Sequence, residues 1–380
     1  MLTLDDILHP ITPAQFLAEY DDRKPLYIPA TDDARKREVL TWSAWNGLLN
    51  QTANWSAASL RLMRNHQAVP AEQYCQPVQT PDGMVMRPFP AKVEVFMSAG
   101  ASVVANEVTH LHPPVTAVAA ALGSAYGAQI GANVYCSFEG VRAFGSHYDN
   151  HHVFVVQTEG EKVWNLYQNR AENPTENPAD TPETRLFFEQ SRGPILQEVT
   201  MRPGDVLYLP RGWYHDALAK DGPSLHITFS VAPLYGRILF QLLDHAAMQN
   251  PGFRAYLPPA HRDSGVALRR QVAEMSDYLS RLMASPAFLD EVIAAQERLV
   301  IRPPAYTLPV RKPVTLYQTT GRAFPPSSSI IRGVYEWMIG QRRFAIEDLI
   351  AEIDYTSETN VRTAVEAAVT AGALVREQAR

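Results

Sequence analysis

The apolar positions change their period twice along the chain, and three regions follow from that. Over about residues 3–60 the spacing predicts helices. Thr3 caps a short one carrying Leu4, Ile7 and Leu8, and Thr12-Pro13 opens another with Phe16 and Leu17 inward. Lys24-Pro25-Leu26-Tyr27-Ile28-Pro29 then reads as a short strand closed by prolines. From about 60 to 235 short β-rich runs alternate with Gly, Pro, Asn and Asp turns. The runs are Val93–Phe96, Asn133–Phe138, Val153–Val156, Val163–Tyr167, Val206–Leu209 and Leu225–Val231. Many short strands with turn signals between them predict a sandwich or barrel. A helical stretch at about 107–122 would cover one sheet, and the Pro/Asn/Glu/Thr-rich segment Asn169–Thr184 reads as a surface loop inserted between strands.

Helix spacing returns at about 236–300, with Leu239, Leu242, Leu243 and Ala246, then Leu268, Val272, Met275, Leu279 and Leu282. Pro303, Pro304 and Pro309 mark a linker. In the last part Ser327–Ser329 cap a helix with Ile331, Val334, Tyr335 and Met338 inward. Phe344, Ile346, Leu349, Ile350 and Ile353 suggest a second helix. Asn360–Ala371 suggests a third, ended by Gly372 and followed by a strand at Ala373-Leu374-Val375. Three helices and a strand suggest a winged-helix-like module. The expected division is therefore 1–235, N-terminal helices plus a β core; 236–305, helical; and 306–380, winged-helix-like.

Composition narrows the function classes. Hydrophobic residues make up 46% of the 380 and charged residues 19%, enough apolar material for a large core. The formal charge of −6 excludes a nucleic-acid binder working through bulk positive charge. The third C-terminal helix carries Glu358, Arg362 and Glu366, so it lacks the basic face DNA would need, and no direct DNA binding is expected. Two cysteines, Cys75 and Cys136, cannot build a disulfide framework or a four-thiolate zinc site, and read as reduced buried thiols. The acidic start and the lack of a long apolar run make a cytoplasmic protein with no membrane association the expectation.

The chemistry is concentrated at His147-Tyr148-Asp149. In an extended strand residues i and i+2 share a face, so His147 and Asp149 can both point into a barrel. His215 would complete the set; it ends a stretch from Gly204-Asp205 that reads as tight turn, apolar strand, Pro/Gly turn and inward histidine. Two histidines and a carboxylate leave three adjacent positions open on an octahedral iron(II), room for a bidentate 2-oxoacid and dioxygen. A triplet of this kind also arises by chance, and a histidine on an apolar strand is more often a hydrogen-bonded core residue. Lys162 starts the Val163–Tyr167 strand, which is expected to pair with Val153–Val156. Deep in a barrel it would hold the far carboxylate of 2-oxoglutarate; at a hairpin end it would be a solvated lysine.

The run Asn133–Ser137, Ser146–Trp164 closely resembles the JmjC family of iron(II)/2-oxoglutarate oxygenases, and most of all its ribosomal-oxygenase (cupin-4-like) branch. Gly204–His215 and Ser224-Leu225-His226-Ile227-Thr228-Phe229-Ser230 match two further blocks of that branch. The resemblance implies a double-stranded β-helix (jelly roll, cupin) core with N-terminal helices, a helical dimerisation region at 236–305, hence a homodimer, and a C-terminal winged helix. It places His147, Asp149 and His215 as iron ligands, Lys162 on the 2-oxoglutarate tail, and Asn133, Tyr135 and Ser230 as further cosubstrate contacts. Members hydroxylate arginine or histidine side chains of ribosomal proteins, so a protein or peptide substrate is expected. The chain departs from the pattern at His151-His152, at Arg142 and Phe144, and at Trp213-Tyr214. Arg142, His151 and Trp213 are therefore expected at the substrate mouth. His226 reads as a core histidine and Asp205 as a turn-shaping residue. A small molecule or biosynthetic peptide as substrate, or a non-catalytic metal-binding cupin module, are the alternative readings.

Overall fold

The computed structural model describes residues 2–31, 34–64, 67–138, 145–219, 222–304, 306–310 and 312–377. Its chain forms two compact units, one from residues 1–233 with 301–303, the other from 234–300 with 304–380.

The first unit is organised by consecutive strands that cross between two sheets. His152–Glu159 lies in an eight-stranded antiparallel sheet, and Lys162–Arg170 in a three-stranded one. Ile195–Met201 belongs to the small sheet, Val206–Leu209 to the large, Trp213–Leu218 to the small and Ser224–Pro233 to the large. This alternation is the jelly-roll winding. It corrects the expected hairpin: Val163–Tyr167 does not pair with Val153–Val156, but with 195–201 and 213–218. The crossing turn runs through Gly160 at φ +62°, where a Cβ would sit 1.9 Å from the Pro223 carbonyl oxygen.

Side chains alternate along the large sheet. Phe154, Val156, Val206, Tyr208, Ile227 and Phe229 join Ile7, Leu8, Phe16 and Trp45 in one core under the N-terminal helices. Val153, Val155, Leu207 and Leu209 pack the other way, onto Trp164, Leu166, Val199 and Met201 of the small sheet. Such strands are buried on both faces and so read as continuous apolar runs. Thr3 and Thr12 cap Leu4–Leu8 and Pro13–Glu19 as their sequence suggests, although Leu17 is exposed. Val93–Phe96 is not a strand. It lies in the helix Pro90–Ser98, with Pro90 preset for a first helical turn. The helix Pro113–Tyr126 packs on the strand Ala128–Ser137. Both cysteines are free and buried.

Buried Asp205 ties the first strand, Leu26–Ile28, to the turn entering Val206–Leu209. Its carboxylate accepts hydrogen bonds from Tyr27 Oη (2.8 Å), Ala30 N (2.6 Å) and Arg202 N (2.7 Å). It is a turn-shaping residue, as its sequence context suggests.

The second unit contains the helices Ile238–Ala247, Val266–Met283 and Pro286–Glu297. It also contains Ser329–Gln341, Ile346–Glu352 and Glu358–Thr370 with a three-stranded sheet, Leu316–Thr319 lying between Arg343–Ala345 and Leu374–Arg376. Val334, Met338, Leu349, Val365 and Leu374 form its core. No helix among the described residues is long and apolar enough to cross a membrane.

Asp205→Ala should cost about 3 kcal/mol, because three donors lose a charged acceptor in a buried site. Urea denaturation monitored by circular dichroism measures this, and an unchanged midpoint would show that the carboxylate does not hold the first strand.

Candidate metal centre

Two of the large sheet's strands present polar residues to the space between the sheets. In Ser224–Pro233 the apolar Leu225, Ile227, Phe229 and Val231 face the helix layer, so His226, Thr228 and Ser230 face inward. In Ala128–Ser137 the apolar Ile130, Ala132, Val134 and Cys136 likewise leave Asn133 and Tyr135 inward. The register sets Asn133 opposite Thr228 and Tyr135 opposite His226. These residues, with His147, Asp149, His151, Val153, Lys162, Trp164, His215 and Ala217, line a cavity of about 100 Å³.

His147, Asp149 and His215 each offer one donor atom, and the three atoms lie within 4.8 Å of one another. The motif does not sit in a regular strand. His147 is joined to His215 by a single β-bridge, in which each residue donates its N–H to the other's carbonyl (3.0 and 2.9 Å). Such a pair puts both side chains on one face. Gly212 donates its N–H to the Asp149 carbonyl (2.8 Å), which holds the third residue beside them. Tyr148 points outward against Tyr214 and Phe188, and Ser146 Oγ donates to Glu189 (2.7 Å). Phe188 and Glu189 belong to the helix Pro182–Ser191, which begins within the last three residues of the expected loop Asn169–Thr184 and runs beyond it.

Each histidine's Nδ1 lies 2.9 Å from a carbonyl two residues back, that of Gly145 for His147 and of Trp213 for His215. A carbonyl only accepts, so Nδ1 carries a proton, and in the neutral ring Nε2 is the nitrogen with the lone pair. His215 Nε2 lies 3.7 Å from an Asp149 carboxylate oxygen. Burial pushes the His215 pKa down to about 4, with the neighbouring His147 adding to the effect. Burial opposes ionisation of Asp149, but His151, His147 and His215 around it hold its pKa below the usual carboxylate value. A neutral His215 imidazole and an ionised Asp149 carboxylate are protonation states that ligate a divalent metal. The donor set therefore fits iron(II).

Lys162 is 4% exposed and opens into the same cavity. Its Nζ reaches Ser137 Oγ at 3.4 Å and stands 6.0 Å from the Tyr135 ring centre. Burial drives its pKa down to about 7. Of the other residues singled out from sequence, Asn133, Tyr135, Ser230 and His151 line the cavity. Trp213 does not; its indole is buried and donates to the Tyr167 carbonyl (2.9 Å). His152 also turns away from the mouth, where its Nδ1 meets Tyr208 Oη and Arg211 N. Arg142 and Phe144 lie outside the described residues. Sequence reasoning missed Thr228, Trp164 and the inward aspect of His226. Their signal is present, since His226 and Thr228 stand four and two residues before Ser230 on one strand face.

A family profile described as JmjC domain matches residues 112–237, the stretch that holds every residue of this cavity. The chain carries a JmjC domain. It is 29% identical over 230 residues to the bifunctional lysine-specific demethylase and histidyl-hydroxylase NO66 of Drosophila persimilis, covering 60% of this chain and 31% of that one. It is 38% identical over 146 residues to human ribosomal oxygenase 1, covering 37% and 22%. The chain thus spans about a third or less of the length of these curated relatives. Among solved structures, the Escherichia coli ribosomal oxygenase YcfD in complex with cobalt and 2-oxoglutarate aligns over 97% of this chain and 99% of its own, with a TM-score of 0.52 and 15% identity. That likeness shows a shared fold around the JmjC domain.

Lys162→Met should stabilise the ligand-free protein by about 1–4 kcal/mol, since a buried cation without a counter-ion gives way to an apolar chain of similar length. The folded-state pKa is depressed, so the unfolded chain holds the proton more tightly between pH 7 and the ordinary lysine value. Wild-type stability therefore rises with pH across that window. The advantage of the variant is full below pH 7 and shrinks above it. Urea midpoints at pH 6.5 and 9 measure both points, and a destabilised variant would contradict the burial.

Proposed function

We propose that this protein is an iron(II)- and 2-oxoglutarate-dependent oxygenase that hydroxylates an amino-acid side chain of a protein. The observation that carries the reading is the convergence of His147, Asp149 and His215 with buried Lys162 in one cavity. A structural metal site has no use for a buried cation facing the same space.

His147 and His215 through Nε2 and Asp149 through its carboxylate would hold the iron. Bound there, iron with 2-oxoglutarate and dioxygen supplies the oxidising power that inserts one oxygen atom into a C–H bond. The protein's own part is placement. The Gly145 and Trp213 carbonyls keep both imidazoles in the right tautomer and orientation. Lys162 receives the far carboxylate of the diacid through a charge-assisted hydrogen bond, a partner its buried site otherwise lacks in charged form. The enclosing sheets exclude water and fix the diacid in one orientation. Binding raises the Lys162 pKa, so at pH 8 the protein takes up a proton as the diacid enters.

The substrate reading is narrower. Relatives named ribosomal oxygenase and histidyl-hydroxylase support a ribosomal protein as substrate and histidine as one modified side chain; arginine is the other side chain that the family resemblance implies. A small molecule or biosynthetic peptide is the other substrate class, and a non-catalytic cupin module the other kind of function. Self-association through 236–305 is supported by the helix Val266–Met283, which buries none of its residues in its own unit although Val266 and Val272 are apolar. A winged-helix role for 306–380 and a cytoplasmic location complete the reading.

Aerobic incubation with iron(II) and labelled 2-oxoglutarate should yield succinate slowly, and faster with the substrate present. His147→Ala should abolish this turnover with the circular dichroism spectrum intact. Lys162→Ala should weaken 2-oxoglutarate binding by roughly ten- to a hundredfold, the worth of a lost charged hydrogen bond. Calorimetry in buffers of different ionisation enthalpy should show proton uptake at pH 8 that the variant lacks. Mass spectrometry of ribosomal proteins from cells with and without the gene should reveal a lost one-oxygen modification. Absence of both binding and turnover would favour the non-catalytic module.

A further inference from the structure

The cavity contains one polar ring that the reading above does not use. His226 is 2% exposed, lines the cavity beside Lys162, and stacks flat on Tyr135 with ring centres 4.9 Å apart and planes 3° from parallel. Trp164 stands T-shaped to it, with ring centres 5.6 Å apart and planes 78° from parallel. The ring is thus clamped by two aromatic neighbours in one orientation. Its Nδ1 is sealed from solvent and has no hydrogen-bond partner.

That orphan nitrogen decides the tautomer. A neutral imidazole has one N–H and one lone pair. If Nδ1 held the proton, a buried donor would go unmet, which native structures tolerate less often than an unmet acceptor. The lone pair therefore lies on Nδ1, and the N–H lies on Nε2, the nitrogen left to the cavity. Burial and the adjacent Lys162 cation both oppose a second proton, so the ring stays neutral.

We propose that His226 is a cosubstrate-binding residue that donates its Nε2–H to an oxygen of the diacid held by Lys162. The inference rests on the proposed function. The receptor then has two unlike donors: Lys162 supplies charge, and His226 supplies direction, because its clamped ring can aim only one way. The Ser224–Pro233 strand thereby contributes to binding through His226. A merely structural histidine in this position would have an internal partner for Nδ1; this one has none, and its only remaining hydrogen-bonding edge meets the ligand's space.

The test uses the full chain with manganese(II) in place of iron under anaerobic conditions, titrated with 2-oxoglutarate in a calorimeter. His226→Phe keeps the aromatic stack and removes the donor, and should weaken 2-oxoglutarate about tenfold, the worth of one neutral-to-charged hydrogen bond. Manganese affinity should be unchanged. His226→Gln restores an N–H donor and should recover part of the loss, which a packing defect would not. Long-range proton–nitrogen correlation spectra of histidine-labelled protein should show the His226 ring protonated at Nε2 and its resonance shifted when 2-oxoglutarate is added. Binding by His226→Phe equal to wild type, or a ring protonated at Nδ1, would overturn the inference and leave the proposed function standing. Wild-type protein that binds manganese but no 2-oxoglutarate would overturn both.

Discussion

Two reciprocal hydrogen bonds between the backbones of His147 and His215 carry the rest of the site. Residues 68 positions apart are brought together, and the geometry of one antiparallel pair places both imidazoles on the same side. His215 lies in the strand Trp213–Leu218, but the His147–Asp149 segment is otherwise outside regular strands, so no ladder would correct an error in its position. Its support comes from elsewhere. Gly212 donates to the Asp149 carbonyl, and its φ of +82° lets the chain pass where a Cβ would lie 2.2 Å from the Ala171 carbonyl oxygen. On the outer side Tyr148 is wedged between Tyr214 and Phe188. The inserted segment after Arg170 is therefore the outer wall of the metal centre.

Buried ionisable groups near the cavity differ in how they are met. Asp205 has three donors on its carboxylate. Asp216, buried next to His215, is met by Tyr167 Oη and by Asn165 Nδ2 at 2.9 Å, with Arg192 at 4.0 Å. Each is satisfied within the fold, as buried charges must be. Lys162 has only a long contact to a serine hydroxyl, and His226 Nδ1 and Trp164 Nε1 have no partner. All three belong to residues that line one cavity. Other buried polar atoms without a partner, among them Trp45 Nε1, Ser102 Oγ and Gln157 Oε1, lie away from it. What sets the cavity group apart is that Lys162 and His226 stand side by side in a space a ligand can enter.

Much of this is legible in the sequence, for identifiable reasons. The metal motif, Lys162 and the Gly204-Asp205 turn stand out because polar residues interrupt apolar β runs. The helix caps at Thr3, Thr12 and Ser328 are legible because capping is local. What fails is non-local or two-sided. Val153–Val156 and Val163–Tyr167 look like a hairpin because they are adjacent in sequence, yet Gly160 sends them to different sheets. Ile195–Met201 goes unnoticed since its first four residues are exposed on the small sheet's edge. Val93–Phe96 has β-like residues, but the proline three positions earlier starts a helix. His226 is read as core because a histidine in an apolar strand usually is.

The strand Ser224–Pro233 shows how one period can serve two ends. Its odd positions, Leu225 to Val231, fasten the sheet to the N-terminal helices; its even positions, His226 to Ser230, form a wall of the cavity. Substitution at one set changes stability and at the other changes what the cavity accepts, with little exchange between them, because adjacent side chains never share a face. The same division holds across the register in Ala128–Ser137, where Asn133 and Tyr135 stand opposite Thr228 and His226. Two paired strands thus offer a two-residue-deep polar surface whose backbone is fixed from behind by an independent apolar core. That separation lets a fold keep an expensive polar interior: the helix-side packing bears the stability, and the inner face is free to carry groups that are costly until a ligand satisfies them.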